Sequence, residues 1–339
     1  MTTLQQRLEA RPPARVLVIQ TAFLGDTVFT SALVQSLVQR WPQAEIDLCV
    51  APRGGDVARA IPGVAHVHLF DKRGADRGLR GLRRIAARLR TRQYPLAVLP
   101  HRSLRSALLA RLARIPERAG FSGAPGSLLY TARVPTGARA FLEREADLAR
   151  ALGARQAAMA LRPLPASLRA ARAALGAAAD ARLAAVCLGS EWETKIWPAP
   201  RVAALVRLLV AEGFLPVLLG GPRERALARE VSSGGGVDTT GNRVGEALAI
   251  LAMSKLAVGG DTGLVHAARA LGVPTVALFG PTTPLVHSFG PRERAVSLGL
   301  DCSPCSAHGS HRCPLGHHRC LRDLDVERVA AACRAVLAV

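Results

Sequence analysis

The sequence predicts an α/β chain built from two Rossmann-like halves, each a parallel sheet covered by helices. Three observations lead there. Short apolar runs of strand length alternate with longer amphipathic runs of helical period. The alternation pauses in a proline- and alanine-rich stretch near the middle and then restarts. The length, 339 residues, exceeds what a single hydrophobic core usually serves.

The first half opens with VLVIQ, residues 16–20, a strand candidate. The loop TAFLGD leads into TVFTSALVQSLVQRW, which has the period of an amphipathic helix. EIDLCVAP is a second strand with a proline stop, and HVHLF, at 66–70, a third. GLRGLRRIAARLRTRQ predicts a helix with a basic face, LAVLP at 96–100 a buried strand, and SLRSALLARLARI a helix ended by Pro116. The segment 163–182, PLPASLRAARAALGAAADAR, is a linker with helical content. Beyond it come LAAVCLG (strand), PAPRVAALVRLLVAEG (helix), LPVLLGG (strand), PRERALAREV (helix), VGEALAILAMS (helix), KLAVGG (strand), TGLVHAARALG (helix) and TVALFG (strand). A cysteine- and histidine-rich loop and the helix DVERVAAACRAVLAV close the chain. Strands separated by helices favour a parallel sheet buried on both faces.

Composition narrows the function classes. No apolar run approaches the 18 to 20 residues of a membrane span. Charge occupies the place in the N-terminal stretch where a secretion signal would be apolar. Seven cysteines without such a signal point to a reduced, cytosolic protein. The formal net charge is +20 and almost all of the excess is arginine, lysine occurring only as Lys72, Lys195 and Lys255. GC-rich coding would give that composition; so would selection for a polyanionic partner such as nucleic acid, acidic lipid or a phosphorylated substrate. An aromatic content of 4% argues against single-stranded nucleic acid, which needs stacking platforms.

Three loops carry candidate chemistry. In GGDTGLVHAARALG, Asp261 ends a strand and starts a helix. Its plain role is an N-cap. Its functional role is to open a helix whose first amides, at Thr262 and Gly263, form an anion site suited to a diphosphate. His266 follows on the same helix face as Thr262. Leu24-Gly25-Asp26 repeats the arrangement in the first half, with Asp26 either an N-cap or a general base that deprotonates a sugar hydroxyl. In CLGSEWETKIWP, the loop after a strand holds Ser190 and Lys195, and a lysine so placed suggests phosphate contact. There is no Walker A pattern and no GxGxxG after a strand, so nucleotide hydrolases and dinucleotide oxidoreductases lose their usual support.

The order LGD, GSxxxxKxWP, LLGGPRE and GGDTGLVHAARALGVPTVALFGPT, spread from about Val16 to Cys320, resembles glycosyltransferase family 9, the ADP-heptose:lipopolysaccharide heptosyltransferases. CSPC…CPLGHHRCL with HRSLRSALLARLARIPERAGF is most similar to the heptosyltransferase II branch. The resemblance implies a GT-B architecture of two Rossmann-like parallel-sheet domains facing a central cleft. Residues 1–165 would form the acceptor domain, 166–322 the nucleotide-sugar domain, and 323–339 a C-terminal helix packing back on the first domain. It further implies that Asp26 is the base of an inverting transfer and that Ser190, Lys195, Thr262, Gly263 and His266 lie at the donor diphosphate. Asp261 would bond heptose hydroxyls and Glu224 the nucleoside. Arg102, Arg105 and Arg118 would pair with acceptor carboxylates and phosphates, or belong to a generic basic surface. The implied partners are ADP-heptose, lipid A-linked inner-core oligosaccharide and the cytoplasmic face of the inner membrane, without nucleic acid.

Cys302, Cys305, Cys313 and Cys320, with His308, His311, His317 and His318 nearby, have the spacing of a zinc cluster, although only one close cysteine pair is present. No cofactor is required by the implied chemistry. The competing classes are a GT-B enzyme using another nucleotide sugar, a related epimerase or phosphorylase, a basic nucleic-acid-binding protein, and an oxidoreductase.

Overall fold

The computed structural model describes residues 3–339 and divides into two compact units, residues up to Leu161 and Arg162–Val339. The first unit runs α1 (Leu4–Ala10), β1 (Arg15–Gln20), α2 (Leu24–Arg40), β2 (Glu45–Val50), α3 (Gly55–Ala60), β3 (Val64–Leu69), α4 (Gly78–Arg90), β4 (Leu96–Leu99), α5 (Leu104–Leu112), β5 (Glu117–Phe121), β6 (Ala132–Val134) and α6 (Phe141–Ala151). The second runs α7 (Pro165–Leu175), β7 (Leu183–Cys187), α8 (Ala199–Ala211), β8 (Leu215–Leu219), α9 (Arg225–Ser232), β9 (Val237–Asp238), α10 (Val244–Met253), β10 (Leu256–Gly260), α11 (Gly263–Ala270), β11 (Thr275–Leu278), β12 (Glu293–Val296), α12 (Arg319–Arg322) and α13 (Val326–Leu337).

Both sheets are six-stranded, wholly parallel and wound alike: β3-β2-β1-β4-β5-β6 and β12-β11-β10-β7-β8-β9. Counted within its own unit, each has the doubly wound order 3-2-1-4-5-6, whose direction reverses between the first and fourth strands. The central strands are apolar end to end because both of their faces are covered; Val16 to Ile19, Leu96 to Leu99 and Leu183 to Val186 are buried. In the first unit Leu17, Ile19, Ala97 and Leu99 pack against Leu82, Ile85 and Leu89 of α4. In the second, Val186, Leu218, Val258 and Val276 pack against Val202, Leu205 and Leu209 of α8.

The segment expected as a linker supplies α7, which belongs to the second unit and packs on α10. The expected return of the C-terminal helix to the first domain is corrected. α13 packs on α8, β11 and β12, and its Val329, Ala330, Cys333 and Val336 join the core of the second unit. That apolar stripe lies beside α8 and covers the same face of the second sheet.

α6 packs against α2 and buries an acid between them. Glu145 receives one bond, from Thr30 Oγ1 at 3.3 Å, and its Oε2 has no partner. Burial above all, with the nearby Asp26 charge, pushes this carboxyl up to about 8 from an ordinary value of 4.5. The folded chain therefore holds a proton that the unfolded chain has released, and stability falls as pH rises from about 4.5 to 8. Glu145→Gln should be more stable than the parent at pH 8, with an advantage that grows from pH 5 by at most about 1.4 kcal/mol per pH unit. Denaturant unfolding of both proteins across that range is the check, and a difference that stays flat with pH refutes the assignment.

Candidate functional site

Each unit gathers its polar loops at the carboxyl ends of the two strands where its sheet reverses direction, the location where open parallel sheets bind ligands. In the second unit these strands are β7 and β10. The chain leaves β7 through Gly189 and Ser190 and makes one 3-10 turn, Glu193–Lys195. Lys195 Nζ then lies 2.6 Å from Asp261 Oδ2 and 3.2 Å from the Asp261 carbonyl. Glycine permits the approach: a Cβ on Gly260 would sit 2.3 Å from the Lys195 carbonyl oxygen. Gly189 and Gly220 do the same for Glu224, whose side chain fills the space their Cβ atoms would take. Glu224 Oε2 accepts from the Gly221 amide at 2.6 Å, which folds the carboxylate back between the loops after β7 and β8. Ser190 Oγ accepts from the Trp192 amide at 3.1 Å.

Asp261 is the hub. Its Oδ2 accepts from Lys195 and from Thr282 Oγ1 at 2.8 Å, and its Oδ1 lies 2.9 Å from His266 Nε2. Burial pushes this carboxyl up, but the hydrogen bond from His266 and the charge and bond of Lys195 hold it well below the ordinary carboxylate range. Thr262 caps α11 with extended backbone, and its buried Oγ1 has no partner. The first bond of the helix runs from the His266 amide to the Thr262 carbonyl at 3.1 Å, so the amides of Gly263, Leu264 and Val265 precede the ladder. A positive helix end, an ammonium and an unpartnered hydroxyl thus lie together.

His266 itself is buried, with Nδ1 3.3 Å from Arg269 NH1. A second histidine, His287, stacks on it at 4.6 Å between ring centroids and lies 3.6 Å from Asp261 Oδ1. Burial first, then the neighbouring His266, drives His287 down to about 3. Nothing in the local sequence pattern marks His287, which sits in a loop without periodicity.

The cysteine- and histidine-rich loop braces the lysine turn. Ser310 and Thr194 exchange bonds at 2.8 to 3.1 Å, His318 Nε2 lies 2.8 Å from the Thr194 carbonyl, and His311 packs on Trp192. The zinc expectation for Cys302, Cys305, Cys313 and Cys320 is not met by their spacing. Among the described residues, the one set of three such ligand atoms within 4.8 Å of one another is Asp261, His266 and His287. All seven cysteines are free thiols. Burial raises Cys313, but amides from His318, Leu315, Gly316 and His317 directed at its sulfur bring it below the ordinary value. The Asp261 trio does not fit a metal ion either. A cation there would displace the Lys195 ammonium and face the Arg269 guanidinium behind His266.

In the first unit the reversal lies between β1 and β4. Asp26 stands in the first turn of α2, and its Oδ2 accepts from the Phe23 amide at 3.0 Å. Thr21 Oγ1 lies 3.1 Å from His101 Nδ1, and Lys72 Nζ donates to the Thr21 carbonyl at 2.6 Å. Burial, then the Lys72 charge, lowers His101 to about 4; burial, then Arg105 and Arg73, lowers Lys72. Arg102 and Arg105 are exposed on this side, Arg102 donating to the Gly123 carbonyl at 2.6 Å. Arg144 of α6 is within electrostatic reach of both Arg102 and Asp26. Lys72 and His101 were missed in the sequence, although the scarcity of lysine that marks Lys195 marks Lys72 equally. Arg118 lies apart. It sits at the amino end of β5 and spends its guanidinium on the carbonyls of Leu129, Ile115 and Pro116, so its place as an acceptor ligand is withdrawn.

The protein resembles known transferases over nearly its whole length. It is 29% identical to lipopolysaccharide heptosyltransferase 2 of Salmonella typhimurium, over 95% of this chain and 98% of that one. It is 28% identical to lipopolysaccharide heptosyltransferase 1 of Pseudomonas aeruginosa, over 93% and 92% respectively. The solved ADP-heptose lipopolysaccharide heptosyltransferase II of Escherichia coli superposes with a TM-score of 0.78 at 23% identity, covering 96% of this chain and 98% of that one. That likeness shows a shared fold, the GT-B class of paired α/β domains. The profile of glycosyltransferase family 9 (heptosyltransferase) matches residues 82–315, more than half of the sequence, and the chain therefore belongs to glycosyltransferase family 9.

Proposed function

We propose that the protein transfers L-glycero-D-manno-heptose from ADP-heptose to the inner core of lipopolysaccharide, with inversion at the anomeric carbon, and that it adds the second heptose. The observation that carries the reading is the Lys195–Asp261 pair, 2.6 Å apart, at the open amino end of α11. A diphosphate leaving group gains negative charge as the glycosidic bond breaks. The ammonium and the first amides of the helix stabilise that charge from fixed positions, with no metal needed. On this reading Ser190, Thr262 and Gly263 would line the same space, and Glu224, in the loop after β8, would meet the nucleoside. Asp261 already accepts three hydrogen bonds, so its first duty is to orient Lys195 and the helix end; a sugar hydroxyl would take its remaining lone-pair capacity.

On the first unit, Asp26 is the proposed base. As the acceptor hydroxyl attacks the anomeric carbon, the carboxylate takes its proton. Arg102, Arg105 and Lys72 supply cationic partners for acceptor carboxylates or phosphates. The likeness to heptosyltransferase 2 relatives supports the second heptose as the sugar added. Membrane contact at the cytoplasmic face is part of the same reading. α4 turns Arg77 at its cap and Arg80, Arg83, Arg84, Arg88 and Arg90 to solvent, while Leu82, Ile85 and Leu89 hold its other face in the core. Among the described residues no helix is long and apolar enough to cross a membrane.

Three outcomes follow from this assignment. Asp26→Asn should lose transfer by about 10²-fold or more while its affinity for ADP, read by calorimetry, stays within twofold of the parent; near-normal turnover removes Asp26 from the role of base. Lys195→Ala should weaken ADP binding by about tenfold, on the order of 1.4 kcal/mol, and the loss should shrink as salt is raised. A heptose-acceptor pair decides the sugar: transfer to an inner core that already carries one heptose, and little to a core with none, is the expected result.

A further inference from the structure

The buried cluster behind Lys195 holds two histidines and an ion pair that the transfer scheme leaves without a task. Arg269 has almost no exposed surface. Its Nε donates to Glu293 Oε2 at 3.0 Å, its NH2 lies 2.9 Å from the same oxygen and also donates to the Ser288 carbonyl, and its plane lies over Phe289. The remaining NH1 lies 3.3 Å from His266 Nδ1. A guanidinium nitrogen can only donate, so Nδ1 must accept. A buried ion pair is costly to assemble, and one that fixes the proton on a neighbouring ring has a reason to be kept.

We propose that Arg269 is a positioning residue that sets the proton of His266. By holding Nδ1 as an acceptor, it places the ring's single proton on Nε2, aimed at Asp261 Oδ1, and keeps the ring neutral. Lys195 is then the one cation that touches Asp261 among the described residues, and its place at the helix end is set by a full carboxylate charge. This role rests on the reading of the second unit as the diphosphate side. The groups facing His266 agree with it. Burial, Arg269 and Lys195 lower its tendency to protonate, and Asp261 opposes them. His287, stacked on the ring, is itself held neutral. Glu293 is held by Arg269, whose NH1 faces His266. Without Arg269, Nδ1 is open to a proton. An imidazolium would then share Asp261 with Lys195 and loosen the ammonium's anchor.

The test is a long-range proton–nitrogen correlation on full-length protein with 15N-labelled histidine, the His266 signal being assigned by its loss in His266→Gln. The expected parent spectrum has Nε2 protonated and Nδ1 as an acceptor, unchanged from pH 5.5 to 8 and independent of any nucleotide. In Arg269→Met the signal should titrate with a midpoint above pH 6 or split between tautomers, and Arg269→Lys, which restores a donor, should recover the parent pattern. A parent spectrum with the proton on Nδ1, or one in Arg269→Met identical to the parent, overturns the proposal. Should Arg269→Met not fold, the parent spectrum alone decides, and Glu293→Gln, which loosens the guanidinium, should raise the midpoint in the same direction. In kinetics, the KM of Arg269→Met for ADP-heptose should rise about tenfold from pH 8 to pH 6 with kcat changed less than threefold, against less than a twofold KM change in the parent. The nitrogen spectrum needs no donor, so failure of the donor reading would appear as absent ADP binding with the tautomer intact.

Discussion

One carboxylate organises the second unit. Asp261 follows the last residue of β10, precedes Thr262, the cap of α11, and takes bonds from Lys195, Thr282 and His266, so the N-cap expected of Asp261 falls to Thr262. An ionised group buried to this degree survives only where donors surround it. Those donors come from the loop after β7, the loop after β11 and the helix itself, so satisfying the charge ties three segments together. The same bonds that keep the carboxylate ionised set the ammonium beside the helix amides. On the proposed donor reading, stability and diphosphate recognition would rest on the same hydrogen bonds.

Much of this was legible beforehand, and for physical reasons. Strands covered on both faces must be apolar throughout, so VLVIQ, LAVLP, LAAVC and TVAL stood out from the helical runs between them. The loops at their carboxyl ends showed themselves by glycine next to aspartate, because a ligand-facing turn needs close backbone approach and a cap. Elements with a weaker signal were passed over. β5, ERAGF, and the sheet-edge strands β6 and β12 carry charge or glycine where a central strand would not, and α6 carries an acid, Glu145, on the face it buries. Among site residues, Asp26, Lys195, Asp261 and Thr262 lay on patterned turns. His287 and Arg269 act through contacts made across the fold, which no local spacing encodes. Arg118 and the helix at the C-terminus show the opposite error, in which a residue type and a family expectation outran the backbone that places them.

The first unit is built more loosely around its chemistry. Asp26 is tied to the backbone of its own helix turn, and the cations near it lie on separate loops after β3 and β4. Partial burial lowers the hold of Lys72 and His101 on their protons, while Arg102 and Arg105 stand exposed on the same side. A scattered set of cations suits a large, multiply charged acceptor, whereas the compact knot around Asp261 suits a single diphosphate.

The clasp between Thr194 and Ser310 bears on how fast such a protein can respond to its ligand. Because the turn before Lys195 is held on both sides by the 306–318 loop, its conformational freedom is surrendered during folding and not on encounter. On the proposed donor reading, an arriving diphosphate would meet a turn already in shape. Its capture then depends on diffusion and charge steering, with no slow rearrangement of that turn between collision and commitment.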